Sequence, residues 1–165
     1  MATDEDRRAA IRLADQAHEV GRASGRVLWR EVLQRVSSGR LGRPHDWLDV
    51  PQLDSPWQDT ISSERMGWRQ RAANLQGEFA FAVDYRICHR CRIGWVEQPY
   101  TLPQYQRCGL GIAGLASLRS EHPDLSWHTL GGHLTESKGF WGVVGRDVLG
   151  GYQQRPLCPH VETGR

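Results

Sequence analysis

Ile11, Ala14, Ala17 and Val20 recur at helical spacing, and Val27, Leu28, Leu33 and Val36 repeat the pattern. Residues 4–36 are therefore predicted to be helical. Gly21 and Gly25 separate the two runs, so two helices with a break are expected. From 37 to 58 the periodicity gives way to Gly39, Gly42, Pro44, Pro51 and Pro56, with Trp47 and Trp57 among them. Disordered linkers seldom carry tryptophans, so this stretch reads as a long ordered loop or cap. A third helix is predicted over 59–76, with Asp59 or Thr60 as its N-cap. Residues 1–77 thus read as a helical N-terminal part.

The period then changes. Phe79, Phe81, Val83, Tyr85 and Ile87 alternate with Ala80, Ala82, Asp84 and Arg86, which predicts a strand. A short turn with Cys88 and Cys91 leads into a second strand over 92–102. A glycine-containing turn and a helix over 109–121 follow, closed by Pro123. A strand over 125–130, a short helix over 135–144 and a last strand over 150–158 complete the pattern. Helices first and then β-β-α-β-α-β make an α+β fold, an α/β sandwich. At 165 residues the chain suits a single domain with a sizeable core. Residues 78–155 form its sheet-rich part and 156–165 a C-terminal tail.

Composition narrows the function classes. With 39% hydrophobic and 24% charged residues the chain is neither disordered nor membrane-spanning in character. The stretch Met1-Ala2-Thr3-Asp4-Glu5-Asp6 is acidic where a secretory leader is basic and then apolar, so a cytoplasmic protein without a membrane partner is expected. The net charge of +2 is spread evenly over both halves. A protein built around nucleic acid concentrates basic charge, so nucleic acid is not the expected partner. Lys138 is the only lysine; every other basic residue is arginine.

Four cysteines without a secretory leader point to metal or reactive thiols before disulfides. Cys88-His89-Arg90-Cys91 has the spacing of a zinc knuckle, which aims both thiolates to one side. One knuckle supplies two ligands; Cys158 and His160 supply two more, giving a Cys3His set that would tie the tail to the hairpin. A redox pair or unlinked thiols is the alternative. Arg86, Arg90 and Arg92 favour thiolates beside the knuckle even without metal.

The stretch Pro103-Gln104-Tyr105-Gln106-Arg107-Cys108-Gly109-Leu110-Gly111-Ile112-Ala113-Gly114-Leu115 lies where a strand ends and a helix begins. Backbone amides at a helix start lack internal partners and carry the positive end of the helix dipole. Glycines there let a pyrophosphate approach those amides, and Arg107 can pair with a phosphate. A purely structural turn fits the same glycines. The stretch resembles the acyl-CoA loop of the GNAT superfamily of N-acyltransferases, Gln/Arg-x-x-Gly-x-Gly/Ala, through Gln106, Gly109 and Gly111. The upstream Pro103 and Tyr105, and downstream Ser137, Phe140, Trp141 and Gly145, continue that resemblance over about residues 78–155.

The resemblance implies a GNAT-like mixed sheet flanked by helices, with acetyl-CoA in a V-shaped gap between two splayed parallel strands. Tyr100, Thr101 and Leu102 would hold the pantetheine arm. Gln106, Arg107, Cys108, Gly109, Leu110, Gly111, Ile112 and Ala113 would hold the pyrophosphate. An amine acceptor would attack the thioester directly, with the enzyme supplying position and an oxyanion-stabilising amide. Glu97 stands where several members carry a basic glutamate, and His128 and His133 are further candidate bases. The Trp47–Trp57 loop is expected to close over the acceptor. Two departures mark this chain: Trp141 replaces a tyrosine that in many members protonates the leaving thiolate, and no first strand of the family's sheet is evident in the N-terminal half. A catalytically silent acyl-CoA sensor and a zinc-knuckle binding module stay open as other classes, as does a homodimer.

Overall fold

The structure is a computed structural model that describes residues 3–22 and 55–162. The second expected helix and residues 37–54 of the expected loop, Trp47 included, lie outside the described residues. Helix α1 (Asp4–Asp15) starts at a capping box in which Thr3 and Asp6 satisfy each other's backbone amides. Three acidic residues complement the dipole in its first turn, and Ala10 and Leu13 face the core.

Among the described residues the sheet has seven strands: β1 (Val20–Arg22), β2 (Trp57–Ile61), β3 (Arg69–Leu75), β4 (Glu78–Cys88), β5 (Ile93–Val96), β6 (Tyr100–Thr101) and β7 (Ser126–Thr129). Its order is β1-β2-β3-β4-β5-β7, with β6 also pairing β4. The pairs β1–β2 and β5–β7 are parallel and the others antiparallel, so the sheet is mixed and the α+β expectation holds.

The expected helix over 59–76 is instead the antiparallel β2–β3 hairpin, with Trp57 opposite Ala73 and Ile61 opposite Arg69. Helix propensity is a weak prior, and here tertiary pairing overrides it. The sheet gives Arg71 and Asp59, neither exposed at all, a fully paired interior; an amphipathic helix would have had no partner for them. Trp57 is likewise no lid over an acceptor. It is fully buried, and its indole donates to Leu13 O at 2.7 Å, joining α1 to the sheet. The expected helical N-terminal part over 1–77 is therefore corrected among the described residues: beside α1 it supplies β1, β2 and β3 to the same sheet as the rest.

The later pattern is closer to expectation. Helix α2 (Leu110–Glu121) crosses the sheet and approaches it closely at Gly114, where a Cβ would lie 2.5 Å from Phe81. A 3-10 turn (Thr135–Ser137) precedes helix α3 (Lys138–Val144). The expected strand over 150–158 does not form; Gln154 makes only an isolated bridge to Thr129. Gly150, Gly151 and Tyr152 all take positive φ and curl the chain. This curl hands its backbone groups to β7 one at a time, as in Tyr152 N–H to Trp127 O and Arg155 N–H to Thr129 O. The tail ends in a short helix α4 (Pro159–Glu162).

The main core gathers Trp57, Phe81, Tyr85, Leu115, Leu118, Trp127, Trp141 and Tyr152. A smaller cluster of Trp68, Cys88, Ile93, Trp95 and Val161 joins the tail to the β4–β5 hairpin. No helix among the described residues is long and apolar enough to cross a membrane.

Candidate metal centre and glycine turn

β4 ends at Cys88, and the following turn closes through Arg92 N–H to His89 O, with Arg92 in the left-handed region. That curl brings the Cys91 amide to Cys88 Sγ at 3.4 Å and points both sulfurs the same way. Cys158 immediately precedes α4, and His160 lies within it. The ligand atoms of Cys88, Cys91, Cys158 and His160 all lie within 4.8 Å of one another, and Cys91 Sγ is 3.2 Å from His160 Nδ1. A tetrahedral zinc with bonds of about 2.3 Å has edges of roughly 3.8 Å, so the widest separations must close by about 1 Å while the Cys91–His160 pair opens slightly. The four residues constitute a candidate Cys3His metal site, as their spacing predicts.

The thiols differ in acidity. Hydrogen bonding with Cys158, then burial and Cys88, push the Cys91 thiol up to about 11. Desolvation opposes the Cys158 thiolate, but hydrogen bonds from Cys88, Cys91 and the Val161 and His160 amides outweigh it and hold that thiol below its ordinary value. Arginines do less here than expected. Arg86 donates to Val161 O and so ties the hairpin to the tail, whereas Arg92 donates to Asp124 O and ties the hairpin to the turn before β7.

The glycine turn sits at the other end of the chain's central run. After β5 the chain leaves the strand at Glu97-Gln98-Pro99 and resumes as β6, which pairs with β4 and, among the described residues, with no strand on its other side. The parallel β5–β7 pairing stops at Val96 opposite Thr129. A 3-10 turn (Pro103–Tyr105) then leads to Gly109, whose φ of 86° caps α2. This left-handed cap needs glycine, because a Cβ there is strained. Ala113 N–H closes the first turn onto Gly109 O at 2.9 Å, leaving the amides of Leu110, Gly111 and Ile112 as the donors a helix start orphans. Gln106 folds back, its side-chain amide donating to Thr101 O, and Cys108 is buried, donating to Gln106 O. Arg107 also holds a positive φ, and Ile112 is half exposed. Tyr100 is exposed, with Leu102 behind it tied through its amide to Ala80 O.

The candidate bases are placed differently from one another. Glu97 lies at the strand break, where Arg65 pairs with its Oε1 at 2.8 Å. His128 is buried on β7, with Nδ1 donating to Gln153 O at 3.1 Å and Nε2 facing Ser126 Oγ at 2.8 Å. Burial holds its imidazole below the ordinary value. His133 stacks on Trp141 at 4.9 Å and bonds Tyr152 O through Nε2. Gln98, which no sequence pattern singles out, joins the strand break to α3 by accepting from Trp141 Nε1 and Ser137 Oγ. The proline after it was the one available signal.

Comparison with family models, with curated proteins and with solved structures finds no match to this chain.

Proposed function

We propose that this chain is an acyl-CoA-dependent N-acyltransferase of the GNAT type whose tail is fastened by structural zinc. The observation that carries the reading is the run β5, strand break, β6, glycine-capped α2. It leaves a strand edge and a row of orphan amides next to each other, beside a parallel partner that ends at Thr129. An extended pantetheine arm can hydrogen-bond to the outer edge of β6 near Tyr100 and Thr101 once Gln106 releases Thr101 O. The pyrophosphate then meets the α2 amides and the helix dipole.

In this reading the acceptor amine attacks the thioester carbon, and a backbone amide at the strand break stabilises the oxyanion. Glu97, once parted from Arg65, takes the ammonium proton. Trp141 donates no proton to sulfur, since its indole N–H is a weak donor committed to Gln98. A thiol has an ordinary pKa of about 8.5, so its thiolate is a tolerable leaving group near neutral pH and takes its proton from solvent. Zinc in the Cys3His set has four protein ligands and no open position, so it supplies anchorage and no Lewis-acid step.

The test is thermal unfolding with acetyl-CoA, followed by thiol release with a panel of amines. Ile112→Glu is the informative variant. A carboxylate in the first turn suits the helix dipole, and the position is half exposed, so folding is spared while pyrophosphate is repelled. The expected result is a stabilisation by acetyl-CoA that Ile112→Glu removes, with amine-dependent thiol release in the wild type. Stabilisation without turnover makes the chain an acyl-CoA sensor. No stabilisation by any acyl-CoA ends the reading.

A further inference from the structure

A cleft of about 460 Å³ opens between α3 and the curl that follows it. Its walls include Lys138, His133, Trp141, Gly151, Gln153 and Gln154, and the rest of its lining is glycine. Several of these groups have nothing to do in the fold. Lys138, the chain's only lysine, makes no ion pair among the described residues. The Gln153 backbone is used by Thr129 and His128, but its side-chain amide takes no hydrogen bond among the described residues. His133 is fixed in place by Tyr152 O and by stacking on Trp141, so its Nε2 carries the hydrogen and Nδ1 is left over. Among the described residues no carboxylate lines the cleft; Glu136, two residues before Lys138, is not part of it.

From these groups we infer that the cleft is a binding site for a small organic oxyanion, a carboxylate or a phosphate ester. The ammonium of Lys138 meets the negative charge and the carboxamide of Gln153 donates to its oxygens, while Gln154, one of whose Nε2 hydrogens goes to Leu130 O, has its second left to donate. The volume lies in the range of small-molecule sites, so the ligand is a whole metabolite-sized molecule rather than a single ion. A cationic ligand is repelled by Lys138 and finds no carboxylate to offset it. The stacked His133–Trp141 pair supplies a rigid wall for the uncharged part. The site stands on its own residues and does not depend on acyl transfer.

Its test exploits the single lysine. Growth on [15N]lysine gives one backbone-amide signal, from Lys138. Inorganic phosphate and succinate are titrated separately against sodium chloride at matched ionic strength. The proposal expects that signal to move saturably with phosphate, with succinate or with both, the arms telling the phosphate class from the carboxylate class. Calorimetry on Lys138→Gln, an exposed position where folding is not at stake, is expected to show binding at least tenfold weaker. A signal that moves no more with either anion than with chloride overturns the site. Unchanged affinity in Lys138→Gln overturns the role of Lys138 and with it the proposal.

Discussion

His160 is exposed, and an exposed side chain away from special features changes stability by no more than about 0.5 kcal/mol when replaced. If it is the fourth ligand of a metal, His160→Ala does much more. Protein purified without chelator is expected to carry one zinc per chain by elemental analysis. His160→Ala and Cys91→Ser are expected to lose that zinc and several degrees of thermal midpoint. Metal-free wild-type protein, or a His160→Ala variant as stable as its parent, counts against the centre. Gly114 offers a second residue-scale check. A Cβ there meets Phe81 at 2.5 Å and Trp57 at 3.1 Å, two rings of the main core that cannot swing aside. Gly114→Ala is expected to cost about 1–3 kcal/mol by overpacking, measured by denaturant unfolding.

At the scale of elements, the junction of β2, β3, β4 and α2 is held by charge. Asp59 accepts from Arg69, from Arg71 and from the Tyr85 hydroxyl at 2.6 Å, while Arg71 also reaches Glu121 and Ser117. Desolvation raises the Asp59 carboxyl, but Tyr85 and the two guanidiniums outweigh it and hold it below the ordinary range. Glu121 is lowered in the same way by Arg71 and Arg22, again against desolvation. Burial, reinforced by Asp59, pushes the Tyr85 phenol well above its ordinary value, so it remains a donor across the physiological range. Both carboxyls are depressed in the folded state. Their contribution is therefore complete above the unfolded carboxylate value of about 4 and is lost as pH falls through the lower folded values. Stability measured from pH 5 downward is expected to fall more steeply in the wild type than in Asp59→Asn. Asp59→Ala leaves the buried Arg71 guanidinium with only Glu121 and the Ser117 hydroxyl among the described residues and is expected to cost on the order of 3–5 kcal/mol. A loss under 1 kcal/mol would mean that Glu121 and Ser117 suffice for Arg71.

At the scale of the whole molecule, the candidate metal set and the proposed acyl-CoA turn lie in different parts. The Cys3His set joins the tail to the β4–β5 hairpin through the smaller cluster, whereas the glycine turn and α2 belong to the main core. Chelation is therefore expected to release the tail, seen as faster amide exchange over residues 155–162, while the main core keeps its protection. Acetyl-CoA at 100 times its dissociation constant is expected to stabilise the fold by about 2.7 kcal/mol. On the proposed reading that gain persists in a Cys91→Ser variant, since the glycine turn and the Cys3His set belong to separate clusters. Loss of acetyl-CoA stabilisation on chelation would show instead that the clip and the glycine turn are one cooperative unit.

Strong, local signals survived from sequence to structure. β4 is legible because five large apolar residues alternate without interruption from Phe79 to Ile87, and α2 because its glycine start and Pro123 bound a clear run. The metal set was legible because Cys-x-x-Cys geometry is local and only one other Cys-x-His pair exists to complete it. The β2–β3 hairpin was not, since Arg-Gln-Arg-Ala-Ala favours a helix by itself. Only the distant partners Ala82, Tyr85 and Glu121 make a strand the better state. The curl at Gly150 is the opposite case: Gly150 and Gly151 suit a turn better than a strand, and their positive φ angles, with that of Tyr152, turn the backbone groups onto β7. The sequence by itself thus determined the chemistry: which thiols and imidazole can meet a metal, and where a helix start exposes amides. The tertiary structure alone decided which charges are buried and paired, that Trp57 is core, and that Lys138 lines a cleft without an ion pair among the described residues. Those outcomes depend on contacts between residues far apart in the chain, and no local pattern encodes them.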